Sequence, residues 1–326
     1  MEENPKFDSR IDLSELIEGV GKIKSQFYEI IAGQEDMADL MLTAILSGGH
    51  ILLEGVPGTG KTLSARLMSA LLQASFSRIQ FTPDLMPSDI LGTSVFDMQK
   101  SVFNFKPGPL FADVVLIDEI NRSPAKTQSA LFEAMEERQV TIDGHTHTLS
   151  KSFLVLATQN PVEQEGTYKL PEAQLDRFHF RLLLQYPTLE QEVQILQRHR
   201  NNAKIIDLST VEPVFSQDQI DRLKNLVSQV FVEDKLLDYI AGIIQATRND
   251  HAIYLGASPR SAVVILKSAR AWAALQGRDF VIPEDIRFIV PAALNHRIIL
   301  TPEAEMEGLS SMSICRKVMD KIEVPK

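Results

Sequence analysis

The chain has 326 residues, of which 44% are hydrophobic and 23% charged, and its formal net charge is −10. That length allows two domains and a sizeable core, and the acidic balance argues against a broad electrostatic grip on nucleic acid. One cysteine, Cys315, excludes an internal disulfide and a cysteine-rich metal site, and reads as a buried or half-exposed thiol of a reducing compartment.

No basic-then-apolar leader is seen at the N-terminus, and no apolar run approaches the roughly 18 to 20 residues of a membrane span. A cytoplasmic protein is therefore expected. Met1 to Arg10 is polar. From Ile11, apolar residues recur at Leu13, Leu16, Ile17, Val20, Ile23, Phe27 and Ile31. This spacing predicts an amphipathic helix, interrupted near Gly19 and Gly21. Ile31-Ala32-Gly33-Gln34 makes a turn, and Met37 to Leu46 resumes helical spacing until Gly48-Gly49. His50 to Glu54 is a short apolar strand. Gly55-Val56-Pro57-Gly58-Thr59-Gly60-Lys61-Thr62 then fits G-x-x-x-x-G-K-[ST], and Leu63 to Gln73 is helical.

Arg78 to Thr82 reads as a second strand. Pro83 to Phe111 is too long for a simple connection, and its apolar pieces predict short elements within it. Val114 to Glu119 is a continuously apolar strand ending in two carboxylates, as suits a parallel sheet buried on both faces. Lys126 to Arg138 is a helix with Leu131, Ala134 and Met135 on one face. Val140 to Leu149 is a hairpin around Asp143-Gly144. Phe153 to Thr158 and His179 to Leu184 complete the strands. The alternation implies an α/β core, with helices on both faces of a parallel sheet. After Pro187 helices dominate: Thr188 to Arg200, Gln217 to Val230, Asp234 to Asn249, Pro259 to Gln276 and Pro283 to Leu294. Ser216 with Gln219 forms a capping box, and Ser258-Pro259 a cap followed by proline. Residues 1–200 are read as the nucleotide-binding core and 201–326 as a smaller all-helical lid.

The strand, glycine turn and helix form a phosphate cradle, with successive N–H groups aimed inward. Lys61 would reach the β- and γ-phosphates, and Thr62 would offer its hydroxyl to Mg²⁺. Asp118 is placed to hold Mg²⁺, and Glu119 to orient and deprotonate a water. Asn160 ends the next strand at the ligand edge of the sheet, where its amide could contact the γ-phosphate or position the water, or could cap the turn before Pro161. Arg177 could pair with Asp176 and do nothing else, or act as an arginine finger. Arg260 could reach the nucleotide or be an ordinary first-turn residue. His145 and His147 share one side of a hairpin without further ligands, which favours a solvated hairpin. Trp272 reads as helix core. Packing accounts for Met37, Met41, Met68, Met86, Met98 and Met135.

Together these motifs resemble the AAA+ ATPases, and within them the MoxR group. The resemblance rests on Glu54 to Thr62, Arg78 to Asp89, Phe105 to Phe111, Ile117 to Arg122, Ala157 to Pro161 and Leu170 to Phe178. It implies a helix-2 insert at Pro83 to Phe111 and a presensor hairpin at Val140 to Leu149. It makes Asn160 sensor 1, Arg177 the arginine finger and Arg260 sensor 2, acting in cis or in trans. Ile31 to Gln34 matches the adenine-side turn. ATP and Mg²⁺ are the implied cofactors, with ATP contacts from Ile31, Gly33 and the run Gly55 to Leu63. A finger acts on a neighbour's nucleotide, so a homo-oligomeric ring, usually a hexamer, is implied. Family members are chaperone-like ATPases that mature partners or insert metals into them, often with von Willebrand factor A domain proteins.

The expected activity is Mg²⁺-dependent ATP hydrolysis that remodels a protein client. A nucleic-acid motor with basic pore residues such as Lys100, Lys106 and Lys151 is one alternative. A nucleotide switch with little turnover is another, against which the intact Asp118-Glu119 pair argues. No Asn-Lys-x-Asp stretch is present to read guanine.

Overall fold

The computed structural model describes residues 11–31, 33–55, 58–159, 168, 170–184, 186–200, 208 and 211–325. Helices α1 (Ser14–Ile30) and α2 (Glu35–Ser47) precede β1 (Ile51–Gly55), and α3 (Lys61–Leu71) follows. β2 (Phe76–Gln80) leads to α4 (Pro87–Leu91) and the antiparallel pair β3 (Gly92–Asp97) and β4 (Val102–Pro107). Next come β5 (Val114–Asp118), α5 (Ala125–Glu137), and the hairpin of β6 (Gln139–Ile142) and β7 (His145–Thr148). β8 (Leu154–Gln159), α6 (Glu172–Leu175) and β9 (Phe180–Leu184) end this half. The second half holds α7 (Leu189–Arg200), α8 (Gln217–Ser228), α9 (Asp234–Asn249), β10 (Ile253–Leu255), α10 (Pro259–Leu275) and α11 (Pro283–Leu294). It finishes with β11 (Ile299–Leu300), α12 (Pro302–Met306) and α13 (Ser311–Asp320).

One parallel sheet runs in the order β2-β5-β8-β1-β9. Successive residues of a strand face opposite sides, and the core divides accordingly. Ile51, Leu53, Leu116 and Leu156 join α1 to α3 on one face, and Leu52, Val115, Ile117 and Val155 meet α5 on the other. The first of these clusters continues into α8 to α11 and α13, so the two halves of the chain share apolar packing. Among the described residues no helix is long and apolar enough to cross a membrane.

Most elements appear where periodicity puts them, with informative exceptions. α1 runs through Gly19 and Gly21 without a break. Gly19 serves packing instead: a Cβ there would lie 2.0 Å from Phe215 Cζ. β2 starts at Phe76, ahead of the expected Arg78, because Phe76–Gln80 is the stretch that pairs with Val114–Asp118 of β5. Pro83 to Phe111 does contain short elements, α4 and the β3–β4 hairpin. Asp143 and Gly144 take φ of 51° and 77°, the paired positive values of a tight hairpin turn. Ser216 and Gln219 do form the capping box. Ser258 occupies its N-cap position without capping, because its hydroxyl turns to Asp176 at 3.2 Å. The lid also carries an antiparallel β10–β11 ribbon and α12 and α13, none of which periodicity suggested.

Three packing expectations are corrected. Met37, Met41, Met68 and Met135 are buried, but Met86 is 60% and Met98 87% exposed, so packing does not account for those two. His147 is not simply solvated, since it stacks on Phe105 with centroids 3.9 Å apart. Trp272 is only partly buried, stacked on Phe288 at 4.0 Å with Lys24 over the ring. Cys315 is buried, and burial pushes its thiol up to about 12.

His50, just ahead of β1, ties three elements together. Its Nε2 lies 3.2 Å from the Met135 carbonyl of α5, and its Nδ1 accepts from Val155 N–H of β8 at 3.0 Å. These partners require the neutral tautomer with the proton on Nε2. Burial, helped by the Arg138 charge, pulls its pKa down to about 3. Burial likewise lowers His179 and His296.

Gly19→Ala is expected to cost about 1–3 kcal/mol of stability, as for an overpacked site, and so to lower the urea midpoint. An unchanged midpoint would mean that Phe215 gives way. The histidines bind protons more weakly folded than unfolded, so their contribution is complete above about pH 6.5 and is lost as pH falls toward about 3. The urea midpoint should therefore be lower at about pH 5 than at about pH 7.5, and a flat profile would contradict the buried neutral imidazoles.

Candidate active site

The carboxyl ends of β1, β5 and β8 lie side by side, since Glu54 pairs with Gln159 and Ile117 with Ala157. The glycine loop leaves the sheet at this edge. Gly58 and Gly60 take φ of 86° and 80°, which suits only glycine well. Gly60 is the N-cap of α3, and no side chain caps that helix. Its first N–H groups thus remain for an anion. Lys61 opens α3 and donates to Gly55 O at 2.9 Å. Burial lowers the Lys61 pKa, while the charges of Asp118 and Glu119 act against that. Val56 and Pro57 lie outside the described residues, as does Asn160.

Asp118 ends β5 and is buried, and both of its oxygens are engaged. Oδ2 accepts from Arg78 Nε at 2.6 Å, and Oδ1 from the Thr158 hydroxyl at 3.3 Å. The same hydroxyl accepts from the Glu119 N–H at 3.0 Å. Glu119 sits at φ 58°, left-handed backbone that costs a non-glycine residue about 1–2 kcal/mol. Its carboxylate meets Gln80 Nε2 at 2.6 Å and Arg122 Nε at 3.2 Å. Two acids therefore converge beside Lys61, each restrained by a neighbour on β2.

After α1, Gly33 lines an open cavity of about 1170 Å³ with Leu184, Thr188 and Gln191 of the core and Phe288 and Arg316 of the lid. Leu184 is the register partner of Gly55, so this cavity adjoins the start of the glycine loop. The side chain of Ile31 is buried at the end of α1, and Leu63 packs against the core.

Arg177 and Arg260 are elsewhere. Arg177 precedes β9, whose first residue pairs with Ile51 and whose last pairs with Gly55. At about 3.3 Å per residue, β9 climbs roughly 13 Å between those levels, so Arg177 lies at the edge of the sheet opposite the cradle. It donates to Phe132 O at 3.0 Å and to Glu136 Oε2, both on α5. Arg260, on α10 of the lid, reaches the other oxygen of Glu136 at 3.1 Å. The bland pairing of Arg177 with Asp176 does not occur, because Asp176 goes to Arg297 at 2.6 Å and to Ser258.

Residues 50–180 match the model of the ATPase family associated with various cellular activities (AAA), and residues 245–318 match the AAA lid domain. The chain is 40% identical to chaperone MoxR1 of Mycobacterium tuberculosis, over 91% of this chain and 80% of that one. It belongs to the MoxR family of AAA+ ATPases. It is also 46% identical to the uncharacterized protein YeaC of Bacillus subtilis, over 94% of this chain and 95% of YeaC. The crystal structure of a candidate ATPase from Cytophaga hutchinsonii matches with a TM-score of 0.88 at 41% identity, covering 96% of this chain and 97% of that one.

Within this MoxR-family chain, the motifs pick out the cradle and the acids but not their restraints. Arg78, Gln80 and Thr158 fall inside stretches that carry the family resemblance but receive no role from it, and Glu136 lies in none of those stretches. Alternation along β2 sets Arg78 and Gln80 on one face of a strand beside β5.

Proposed function

We propose that this chain hydrolyses Mg²⁺-ATP at sites shared between neighbouring copies in a ring, usually a hexamer, and that turnover remodels a protein client. The observation that carries the shared site is the gathering of Arg177 and Arg260 on Glu136, at the sheet edge opposite the chain's own cradle. An arginine there is far from the cradle of its own chain, and both are partly exposed, so a neighbour's nucleotide can meet them. Both arginines are accordingly assigned to act in trans.

Residues 1–200 serve as the nucleotide-binding core and 201–326 as the lid. Gly55 to Leu63 hold the phosphates, with Ile31 and Gly33 on the adenine side. The hydroxyl of Thr62 and the carboxylate of Asp118 are hard oxygen donors of the kind Mg²⁺ takes. The ion when bound neutralises charge on the phosphates. Lys61 adds a positive charge beside them. Glu119 orients the attacking water and accepts its proton once Gln80 and Arg122 release it, and Asn160 would help to place that water. Arg177 and Arg260 of the adjacent copy stabilise charge on the γ-phosphoryl.

The exposed apolar tip of the β3–β4 hairpin, with Phe96, Met98 and Phe103, supports engagement of a polypeptide client. The relative named chaperone MoxR1 supports the same reading. A von Willebrand factor A domain protein as partner, metal insertion as an outcome and a cytoplasmic setting belong to this proposal too.

Glu119→Gln should lower kcat roughly 10²- to 10⁴-fold, and Arg177→Ala about 10³-fold. Mixed rings of the two variants should regain turnover, since an intact Glu119 would then face an intact Arg177. Arg260→Ala should complement Glu119→Gln in the same way, whereas a cis role predicts no recovery. A cation at Asp118 also competes with Arg78. Arg78→Ala should therefore reduce the Mg²⁺ concentration needed to half-saturate binding of a fluorescent ATP analogue, by roughly two- to fivefold for a half-exposed ion pair. An unaltered Mg²⁺ dependence would rule this competition out.

A further inference from the structure

Glu136 is in none of the nucleotide motifs, yet it is the point at which core and lid arginines meet. Each of its carboxylate oxygens takes one guanidinium, Oε2 that of Arg177 and Oε1 that of Arg260. Two cations so close repel each other unless a negative charge lies between them. The Glu136 carboxylate lies between the two, and Glu133 and Glu137 line the same small pocket as Arg177. Each arginine is held through a single terminal nitrogen on this carboxylate. A guanidinium has five N–H donors, and the partly exposed Arg260 makes no other polar contact among the described residues. Arg177 is more enclosed: its Nη1 is shared by Phe132 O and Glu136, and its Nε is buried without a partner among the described residues.

The base on which Glu136 stands is rigid. The preceding residue, Met135, gives its carbonyl to His50 at 3.2 Å. Arg138, two residues on, donates to Gly48 O at 2.7 Å and to Lys151 O at 2.9 Å. The end of α5 is thereby pinned, on both sides of Glu136, to the segments that lead into β1 and β8. A carboxylate fixed in this way can set the direction of flexible arginines. On the lid side, Ser258, two residues before Arg260, reaches Asp176, the neighbour of Arg177 in the chain. The two arginines therefore arrive from two parts of the chain already registered against each other.

We propose that Glu136 is a positioning residue: it binds Arg177 and Arg260 into one two-pronged cationic unit that is presented to the nucleotide of the adjacent copy. This rests on the trans reading above and adds to it a residue that touches neither nucleotide nor water. It acts on the neighbour's site and not on its own.

The test uses full-length rings, with assembly followed by sedimentation. In Glu136→Gln one oxygen becomes an amide donor and the charge is lost, so the side chain can accept from one arginine only. The expected result is a fall in kcat of about 10- to 100-fold, as for a misplaced catalytic group, with half-saturating ATP nearly unchanged. Glu136→Asp keeps the charge one methylene shorter and should retain more turnover. The deciding measurement is complementation: Glu136→Gln subunits mixed with Glu119→Gln subunits should regain activity, because each defect lies on the opposite side of the shared site. Wild-type kcat in Glu136→Gln, or no recovery in mixed rings in which Arg177→Ala does recover with Glu119→Gln, would overturn the inference and leave the trans reading standing. Failure of the Arg177→Ala mixture as well would sink both. Loss of ring assembly or of cooperative unfolding in both Glu136 variants would mean that the residue holds the fold and not the arginines, and would also overturn it.

Discussion

One buried guanidinium ties the lid to the core. Arg297, in the turn after α11, is almost fully enclosed and uses all its N–H donors. Nε bonds Asp176 Oδ1, Nη1 the carbonyls of His179 and Ala293, and Nη2 the carbonyls of Asp176 and Phe178. Burial lowers the Arg297 pKa, and the Asp176 charge acts against that. Breaking a buried pair of this kind typically costs about 3–5 kcal/mol, because the partner charge is left without compensation. The segment it grips, Asp176 to His179, is also the one that carries Arg177. Asp176 takes a second lid contact from Ser258, and so α10 begins beside Arg177. The placement of Arg260 is thus a consequence of how Arg297 seats the lid.

The same economy of contacts governs the acids. Asp118 and Glu119 lie next to each other at a strand end, where two negative charges would repel. Arg78, Arg122 and Lys61 offset that repulsion, and Thr158 sets the geometry by bonding the carboxylate of one and the N–H of the other. The positive φ of Glu119 is local strain of the kind found at functional turns. It turns the Glu119 carboxylate to Gln80 on β2, whereas the Asp118 carboxylate reaches Arg78 two residues earlier. Both restraining side chains come from one strand, so a small shift of β2 against β5 would alter both acids together.

Much of this was legible in the amino-acid order. Local chemistry carries it: the glycines and lysine of the cradle, the apolar runs of β5 and β8, and the Asp143-Gly144 turn are each decided by residues within a few positions. Helix ends such as Gly48 and Ser216 follow for the same reason. The helical break read at Gly19 failed because the glycine answers to Phe215, far along the chain, and not to its neighbours. Met86 and Met98 failed similarly, since hydropathy cannot tell a core methionine from one on a hairpin that stands out from the body.

What the order of residues determined by itself is a strand–glycine loop–helix unit followed by a carboxylate-tipped buried strand, because backbone freedom and side-chain period are local properties. Tertiary structure alone decided which groups meet across the fold: Arg78 with Asp118, Gln80 with Glu119, and Glu136 with both Arg177 and Arg260. Those meetings depend on strand order, on register and on the seat of the lid at Arg297. Each is set by burial and charge summed over distant segments, and no stretch of sequence holds that sum.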